Sequence, residues 1–600
     1  MRSKLILLVI IFIFVIHCLS LNFTQDDAFI SYRYVKNFIQ GNGLVFNSGE
    51  RVEGYTNFFW IILLSIFAKL GLDMITVSKI LGIASGCVTL FLLHQISQLF
   101  FPKRDWLFSL FPSFLLTSSS AFAYWSISGL ETTFFVMMVL VSVYLYLTYP
   151  RLWVVSCVLS TLIRPEGGLI FGVLILHKLL FRKDPLRESL SCLGGFVLLL
   201  LPFLIFKVFY YGDILPNPFY AKTGFSLEYV KSGLEYFWLF LRHYGLWGLF
   251  YLVPIFFYKS LDSRVRLLIL LVYLYTLYVI LIGGDVLKVH RFFLPILPLL
   301  YLLFVIFVQK LYTRFKSDLK TRMALIIFLL SIPAVFFILP HKWIRDVRSS
   351  ERQLVNRMLS VVEYLKANYG AGFSMALTII GSASYYLGTE VKVIDMLGLT
   401  DKYISCHPEK IEGITVTWKE RNYNTRYLLS LDPDFILFST AYKPSAPAER
   451  ALLLNSKFRQ NYYVIPVLFG KGEFVPIFKR KGSYSKENEL FGDTRFIDLF
   501  CEGVYLRMRG RVKEAIQKLK QVTLVGPQDF ALVYELLGQY YFKLKDYDSA
   551  ETYLKRAIQI DDRTVLAHAY LAATYRNTGR LEEAEEEEKK VYLYDPNFPR

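Results

Sequence analysis

Cysteine is scarce in this chain, and the few that occur do not cluster. The 600 residues hold 6 cysteines, none in a CxxC pair or a ligand-like group, which excludes a zinc ribbon and a disulfide framework. Cys18, Cys87, Cys157 and Cys192 lie in or beside apolar runs and read as packing residues. No spacing favours a Cys406–Cys501 pair. Acidic residues are short as well: 49 Asp and Glu face 67 Lys and Arg, for a net charge of +18. Much of that excess falls in short loops between apolar runs, at His177–Arg187, Tyr258–Arg266 and Gln309–Arg322. That is the pattern of cytoplasmic loops in a membrane protein, so no nucleic-acid partner is expected. A nucleotide-binding loop is missing too. Gly41-Asn42-Gly43 has no flanking strand and helix and reads as a turn. Asp432-Pro433-Asp434 has the form of a metal-holding DxD, but it runs into Phe435–Phe438 and reads as a turn entering a strand. Apolar runs are absent beyond about Pro340, so a membrane domain followed by soluble domains is expected. Behind the first apolar run no small-x-small cleavage site follows, and residues 1–21 read as an uncleaved anchor.

What is present is hydrophobic and aromatic to an unusual degree, 54% and 17% of the chain, outside the range of an ordinary soluble protein. Spans are expected near Lys4–Leu21, 76–100, 106–122, 132–149, 151–163, 167–181, 189–211, 237–258, 264–283, 291–311 and 322–340. The run Asn57–Leu70 is 14 residues, about 21 Å of helix against an apolar core of about 30 Å, and reads as interfacial. About eleven transmembrane helices result. Arg2 and Lys4 put the N-terminus in the cytoplasm, the basic loops fall on that same side, and the soluble region falls outside. Parity then gathers the polar loops Ser126–Thr133, Arg164–Gly167, Tyr210–Gly224 and Gly283–Arg291 on the outer face. Asp26 and Asp27 join them there, just past the first span, where carboxylates near lipid are costly without a role.

The stretch from Asp26 reads DDAFISYRYVKNFIQGNGLVFNSGERVEGYTNFFW. It is followed in order by SGLETTFF (128–135), RPEGG (164–168), YYGDILPNPFYAK (210–222), GGDVLKVHRFFLPILP (283–298) and DMLGLTD (395–401). This set resembles the GT-C superfamily of integral-membrane glycosyltransferases. Within it the likeness is closest to the mycobacterial-type terminal arabinofuranosyltransferases, over roughly residues 20–400. The resemblance implies inverting transfer of a sugar from a polyprenyl-phosphate-linked donor on the outer face of the membrane, to an extracytoplasmic glycan or protein acceptor.

Such a transfer needs one general base for the acceptor hydroxyl and cations or donors for the leaving phosphate. By the family pattern Asp26 is the base and Asp27 orients it or the acceptor, or the two exchange roles. The competing reading is that one of them caps a helix. Arg33 lies seven residues on and shares a helical face with Asp26. Phosphate-binding candidates are Arg291 with His290 and Lys288, then Arg164 and Lys222, since Arg offers a planar fork to phosphate oxygens. The alternative for Arg291 and Arg164 is snorkelling at a helix end. Glu131 and Asp285 stand beside glycines as sugar-binding or capping acids, and Glu53, Tyr55 and Asn57 of the first block are substrate-site candidates. No second carboxylate is placed against the Asp26–Asp27 pair, so a glycosidase cannot be argued. No cofactor or metal site is indicated, and a divalent cation at the paired aspartates stays an open alternative that no further ligand points to.

The expected fold class is mainly α, a polytopic membrane protein of GT-C type. Its domains are a catalytic domain over 1–340 with an external loop at 22–75, an extracytoplasmic α/β domain over 341–496, and a tetratricopeptide array over 497–600. The β-like runs are Ala376–Ile380, Val391–Asp395, Phe435–Ser439 and Tyr462–Leu468. Ala515, Ala550 and Ala584 recur at 35 and 34 residues, the tetratricopeptide period, which implies a protein partner. The expected location is the bacterial inner membrane. The rival function is a non-catalytic scaffold or lipid-linked-glycan transporter that recruits partners through the repeats. A third, an O-antigen ligase or polymerase, leaves the Asp26 block unexplained.

Overall fold

A computed structural model describes residues 2–149, 152–182, 185–222, 227–256, 262–315, 318–338, 340–414, 422–469, 473–482 and 487–598. Parts of the expected loops His177–Arg187, Tyr210–Gly224, Tyr258–Arg266 and Gln309–Arg322, and one end each of the spans 151–163 and 237–258, lie outside them. The chain divides into two compact units. One comprises Met1–Leu44, Tyr55–Pro216 and Thr223–Val355; the other comprises Val45–Gly54, Asn217–Lys222 and Asn356–Arg600.

The first unit is helical. Among the described residues, six helical runs are long and apolar enough to cross a bilayer: Ser3–Ser20, Met74–Gln98, Leu186–Tyr211, Ser263–Leu281, Leu297–Arg314 and Leu319–Tyr369. In the last, the apolar part is Leu319–Ile338, and the helix that follows, His341–Tyr369, carries charge throughout. A seventh crossing forms if the pair Lys103–Ser118 and Ser120–Ile127, bent by 64°, is one span. The bend has a local cause. Ser119 leaves the helical region (ψ 105°) and turns its hydroxyl to the Phe122 amide, capping the second piece. The apolar runs near 132–149, 151–163 and 167–181 form the helices Thr132–Thr148, Leu152–Ile163 and Glu166–His177, of 17, 12 and 12 residues. The first stands at the short end of the roughly 17–25 residues a crossing takes, and the other two are shorter, the last continuing as a π-helix over Lys178–Arg182. The 237–258 run divides into Leu227–Tyr244 and Leu249–Phe256. Asn57–Leu70 becomes the helix Phe58–Lys69, of about 18 Å, also too short to cross. Large apolar side chains stand exposed along Leu186–Tyr211, such as Leu190, Val197, Leu198 and Phe209. In water that would be a liability; in lipid it is the expected surface.

The second unit holds a five-stranded mixed sheet and a helical array. The strands β1 (Ser374–Leu377), β2 (Lys392–Asp395), β3 (Phe435–Leu437), β4 (Tyr462–Phe469) and β5 (Glu473–Arg480) run in the order β2-β1-β3-β5-β4. β1 is parallel to β2 and β3, and β5 is antiparallel to β3 and β4. β5 escaped the sequence reading because charges and Pro476 interrupt its apolar pattern; it is held as the second arm of a hairpin, Pro476 opposite Pro466. Asp432-Pro433-Asp434 is a turn into β3. Asp434 accepts from the Ser374 amide and hydroxyl at 2.8 and 2.9 Å and from Arg480 at 2.6 Å.

Three helix pairs follow: Arg495–Met508 with Val512–Val525, Ala531–Lys543 with Tyr547–Ile560, and Val565–Asn577 with Leu581–Tyr594. Ala515, Ala550 and Ala584 are fully enclosed, the small residues that let the helices of each pair approach. Each pair turns at a left-handed residue: Gly510 (φ 80°), Lys545 (φ 62°) and Gly579 (φ 82°). Lysine thus takes in the second pair the conformation that glycine supplies in the others. Sheet and array share one apolar core, in which Phe458 and Phe478 join Phe496, Phe500, Phe530 and Leu537.

Two segments far from this unit in sequence belong to it. Asn47 pairs with the edge strand β2 as a strand would, donating to the Val393 carbonyl at 2.8 Å and accepting its amide at 3.1 Å. Asn217 donates to the carbonyls of Gly398, Leu399 and Asp401 at 2.7, 3.1 and 3.2 Å and accepts from Ser405 at 2.7 Å. In the same DMLGLTD block, Asp395 accepts from the Leu397 and Thr400 amides, and Asp401 caps the helix Lys402–Cys406. Asn217→Ala removes the side-chain donor to the Gly398 and Leu399 carbonyls, while the Ser405 hydroxyl keeps the Lys402 carbonyl at 2.9 Å. It is expected to cost about 1–3 kcal/mol, read as faster amide hydrogen exchange at 395–406 with the rest of the chain unchanged.

Candidate active site

The helix Asp26–Ile39 begins immediately after the first apolar helix. Gln25, in extended conformation, is its N-cap residue, so Asp26 and Asp27 are the first helical residues and do not cap with their side chains. At that place both face the positive end of the helix dipole, which favours negative charge. Asp26 is buried and Asp27 half-buried. Gln25 fixes the approach: its amide donates to the Ser128 carbonyl at 2.9 Å, and its side-chain oxygen accepts from Tyr124 at 3.1 Å. The Ser128–Glu131 motif packs directly against this helix. Tyr32 reaches Ser78 at 2.5 Å and the Gly129 carbonyl at 3.4 Å. Gly129 has φ +88°, and a Cβ there would lie 2.4 Å from the Tyr32 hydroxyl, so only glycine fits. Arg33, on the buried side of the same helix, is fully enclosed. Burial lowers its pKa to about 10, against an upward pull from Tyr34.

A chain of buried polar contacts runs outward from this helix. Ser31 accepts from Asn57 at 3.0 Å, and Asn57 donates to Glu131 at 2.9 Å. Glu131 accepts from Arg164 at 2.8 Å, and the other arm of Arg164 meets Glu166 at 2.9 Å. Glu166 is a member the sequence reading passed over. Beside this chain stands a second pair, in which Arg291 grips Asp285 with both arms at 2.7 and 3.0 Å. Phe292 lies between the two guanidinium groups, 5.2 Å from that of Arg164 and 5.3 Å from that of Arg291. Arg291 also faces Trp125 at 5.7 Å, a cation–π arrangement. The two arginines singled out for phosphate are therefore committed to the two carboxylates singled out for sugar, Arg164 buried and Arg291 half-buried, each in an ion pair instead of snorkelling.

The loop that carries Arg291 is strained. Val289 and His290 both take left-handed backbone angles, φ 70° and 57°, a rare state for a β-branched residue and one that concentrates at functional sites. The Val289 carbonyl is held by Trp125 at 2.7 Å, and His290 meets His243 at 2.9 Å. His290 is fully enclosed, and burial together with His243 keeps its pKa well below the usual value. It is a neutral ring at neutral pH. Lys288, two residues back, is exposed. Tyr55 hydrogen-bonds Tyr211 at 2.9 Å and meets Tyr34 edge-on, with ring centres 4.8 Å apart. Of the remaining candidates, Glu53 and Lys222 belong to the second unit, where the Glu53 carbonyl accepts the Asn217 amide at 2.8 Å.

Glu351 was not singled out from the sequence at all. It lies on the helix His341–Tyr369, beyond the last apolar span. Burial, with Asp27 and Asp26 adding to it, lifts its pKa to about 7, while Gln25 and Lys288 act in the other direction. No local signal marks it: in sequence it is one acid in a charged amphipathic helix. Among the described residues no group of three or more His, Cys, Asp and Glu is placed to hold a metal ion.

Together these features define a polytopic α-helical membrane protein with a small mixed sheet and a tetratricopeptide array. Over 254 residues the chain is 30% identical to the terminal beta-(1->2)-arabinofuranosyltransferase of Mycobacterium tuberculosis (strain ATCC 25618 / H37Rv), a match covering 37% of this chain and 38% of that protein. The match thus spans little more than a third of that relative's length. Residues 344–487 match a domain of unknown function (DUF8728), and residues 531–564 match the tetratricopeptide repeat. Among solved structures, ArnT from Cupriavidus metallidurans bound to undecaprenyl phosphate is similar over 67% of this chain and 87% of that one, at 12% identity and a TM-score of 0.47. MamA is similar over 17% of this chain and 60% of its own, at 25% identity and a TM-score of 0.17.

Proposed function

We propose that this protein is an inverting glycosyltransferase of the GT-C type. It takes a sugar from a polyprenyl monophosphate and transfers it to a glycan or protein outside the bacterial inner membrane. The observation that carries the reading is the Asp26–Asp27 pair, in the first turn of a buried helix at the mouth of an apolar span. In the reaction the acceptor oxygen bonds to the anomeric carbon as the bond to phosphate oxygen breaks. The hydroxyl proton passes to an aspartate, and the electron pair leaves with the lipid phosphate. The base stands in the first turn of its helix, where the dipole favours negative charge. The charge that grows on the phosphate needs a cation; Lys288 is exposed, and Arg291 and Arg164 reach it only by exchanging a carboxylate for phosphate. The identity to an arabinofuranosyltransferase supports a pentose or hexose donor of this lipid class. The N-terminus lies in the cytoplasm and the sheet and repeats lie outside, where the array recruits a protein partner.

Membranes containing the full chain, supplied with labelled decaprenyl-phosphate-linked arabinofuranose, mannose or glucose, are expected to move label from one of these donors into envelope glycan or protein. They should move none from nucleotide sugars added at the outer face. Transfer from nucleotide sugars alone, or from no donor, would overturn the reading and leave the repeat-bearing scaffold.

A further inference from the structure

Lys207 is a basic residue well inside an apolar span. The helix Leu186–Tyr211 is 26 residues long, and its buried side chains are Ser189, Phe196, Lys207 and Tyr211. Leu198, Ile205 and Val208 stand exposed on its other sides, as a lipid-facing surface does. The span thus turns its lysine toward the protein and its apolar side chains toward the bilayer. A charge at such a place is costly and stays where it has a role. Snorkelling does not account for it. Tyr211 closes the helix one turn later, about 6 Å along the axis, and a snorkelling ammonium would reach past it to the interface. The Lys207 ammonium lies instead 5.5 Å over the ring of Phe203, one turn farther into the span. That ring leads to the candidate site. Phe203 and Phe206 pack on Phe58, with ring centres 4.6 and 5.8 Å apart. Phe58 follows Asn57, which donates to Ser31 of the aspartate helix and to Glu131. The end of the span is tied down as well: Tyr211 donates to the Leu44 carbonyl at 2.8 Å and meets the Tyr55 hydroxyl at 2.9 Å. Lys207 therefore stands where a lipid-facing helix meets the buried polar chain of the site.

We infer that Lys207 is a donor-binding residue, whose ammonium receives the phosphate of a polyprenyl-linked donor entering from the bilayer beside Leu186–Tyr211. The inference rests on the transfer reading above and adds a residue to it. Such a donor keeps its tail in lipid and its sugar in the polar site. Its phosphodiester then sits at the boundary between the two, where Lys207 stands. An ammonium is a compact point charge on a flexible four-carbon stem. It can turn from the Phe203 ring to a phosphate oxygen, a charge-assisted hydrogen bond taking the place of a cation–π contact. As the sugar leaves, negative charge grows on that phosphate and the contact strengthens.

The test is binding of decaprenyl monophosphate to the full-length protein in detergent, read by native mass spectrometry, with decaprenol as the uncharged control. The wild type is expected to prefer the phosphate to the alcohol. Lys207→Met keeps a straight stem against Phe203 and is expected to weaken phosphate binding on the order of tenfold, the size of one charge-assisted contact. Its binding of decaprenol should not change, which a merely structural lysine would not predict. Lys207→Arg is expected to keep the preference, and donor KM in the membrane transfer assay should rise in Lys207→Met by the same factor. A preference for phosphate in Lys207→Met equal to the wild type's overturns the inference and leaves the transfer reading standing. Equal competition by phosphatidylglycerol overturns it too, since Lys207 would then meet any anionic lipid. A wild type that prefers the phosphate through Lys207 but transfers no sugar overturns the transfer reading and keeps the lipid-phosphate site. A wild type that binds neither lipid and transfers nothing overturns both. Should Lys207→Met fail to accumulate, Lys207→Gln is measured in its place by the same criterion.

Discussion

With Asp26 as the proposed base, Asp26→Asn is expected to lower transfer about 10²–10⁴-fold at matched protein levels. The rate term is the contribution of a positioned general base; an amide of the same shape accepts no proton at neutral pH. An asparagine keeps the size of this buried group and forgoes the favourable placing of one negative charge in the first turn, about 0.3–1 kcal/mol. Donor KM should change little, since the acid acts on the acceptor hydroxyl. Asp27→Asn, at the half-buried neighbouring position, is expected to cost less in kcat. Radiolabel transfer with matched protein levels checks both. A variant with normal turnover at Asp26 and a dead one at Asp27 would exchange the two roles; normal turnover in both would remove the pair from the chemistry.

The second large effect is on stability. Arg164 is buried and gives one arm to Glu131 and the other to Glu166. Arg164→Met leaves two carboxylates enclosed without their cation, and breaking a buried pair in this way costs about 3–5 kcal/mol. Arg164→Lys is expected to fall in between, because an ammonium is a single point charge and cannot serve both acids in fork geometry. Thermal unfolding in detergent reads the difference. The triple change Arg164→Met, Glu131→Gln, Glu166→Gln should recover much of the loss, since no unpaired charge is left. If Arg164→Met melts as the wild type does, the network is not what holds these helices together. The effect extends to the proposed base by contact: Glu131 holds Asn57, and Asn57 holds Ser31 on the aspartate helix. Part of the activity lost in Arg164→Met therefore comes from misplacing Asp26 and not from the missing cation.

Hydrophobicity and spacing are written locally, and so the sequence by itself determined the helical membrane character, the tetratricopeptide period and the placing of Asp26 and Asp27 behind the first span. Each depends on neighbours within a turn or a repeat. The period of 34–35 reappears as enclosed Ala515, Ala550 and Ala584 because close helix packing needs a small side chain at each return. Span counting went less far. A run of apolar residues reports its preference for lipid but not whether its helix continues, and at Ser119 a hydroxyl turned to the Phe122 amide interrupts one such run.

What the tertiary structure alone decided is who pairs with whom. Arg164 and Glu131, Arg291 and Asp285, and Asn47 and Val393 meet through folds of the chain that no periodicity encodes. Arg164, Glu131, Arg291 and Asp285 were each visible as polar groups in odd places; their partners were not, because a buried charge is satisfied by whatever opposite charge the packing brings to it. Glu351 is the clearest instance. In sequence it is one acid among many on an amphipathic helix, and it becomes distinctive only when folding sets it, partly desolvated, beside Gln25, Asp26 and Asp27.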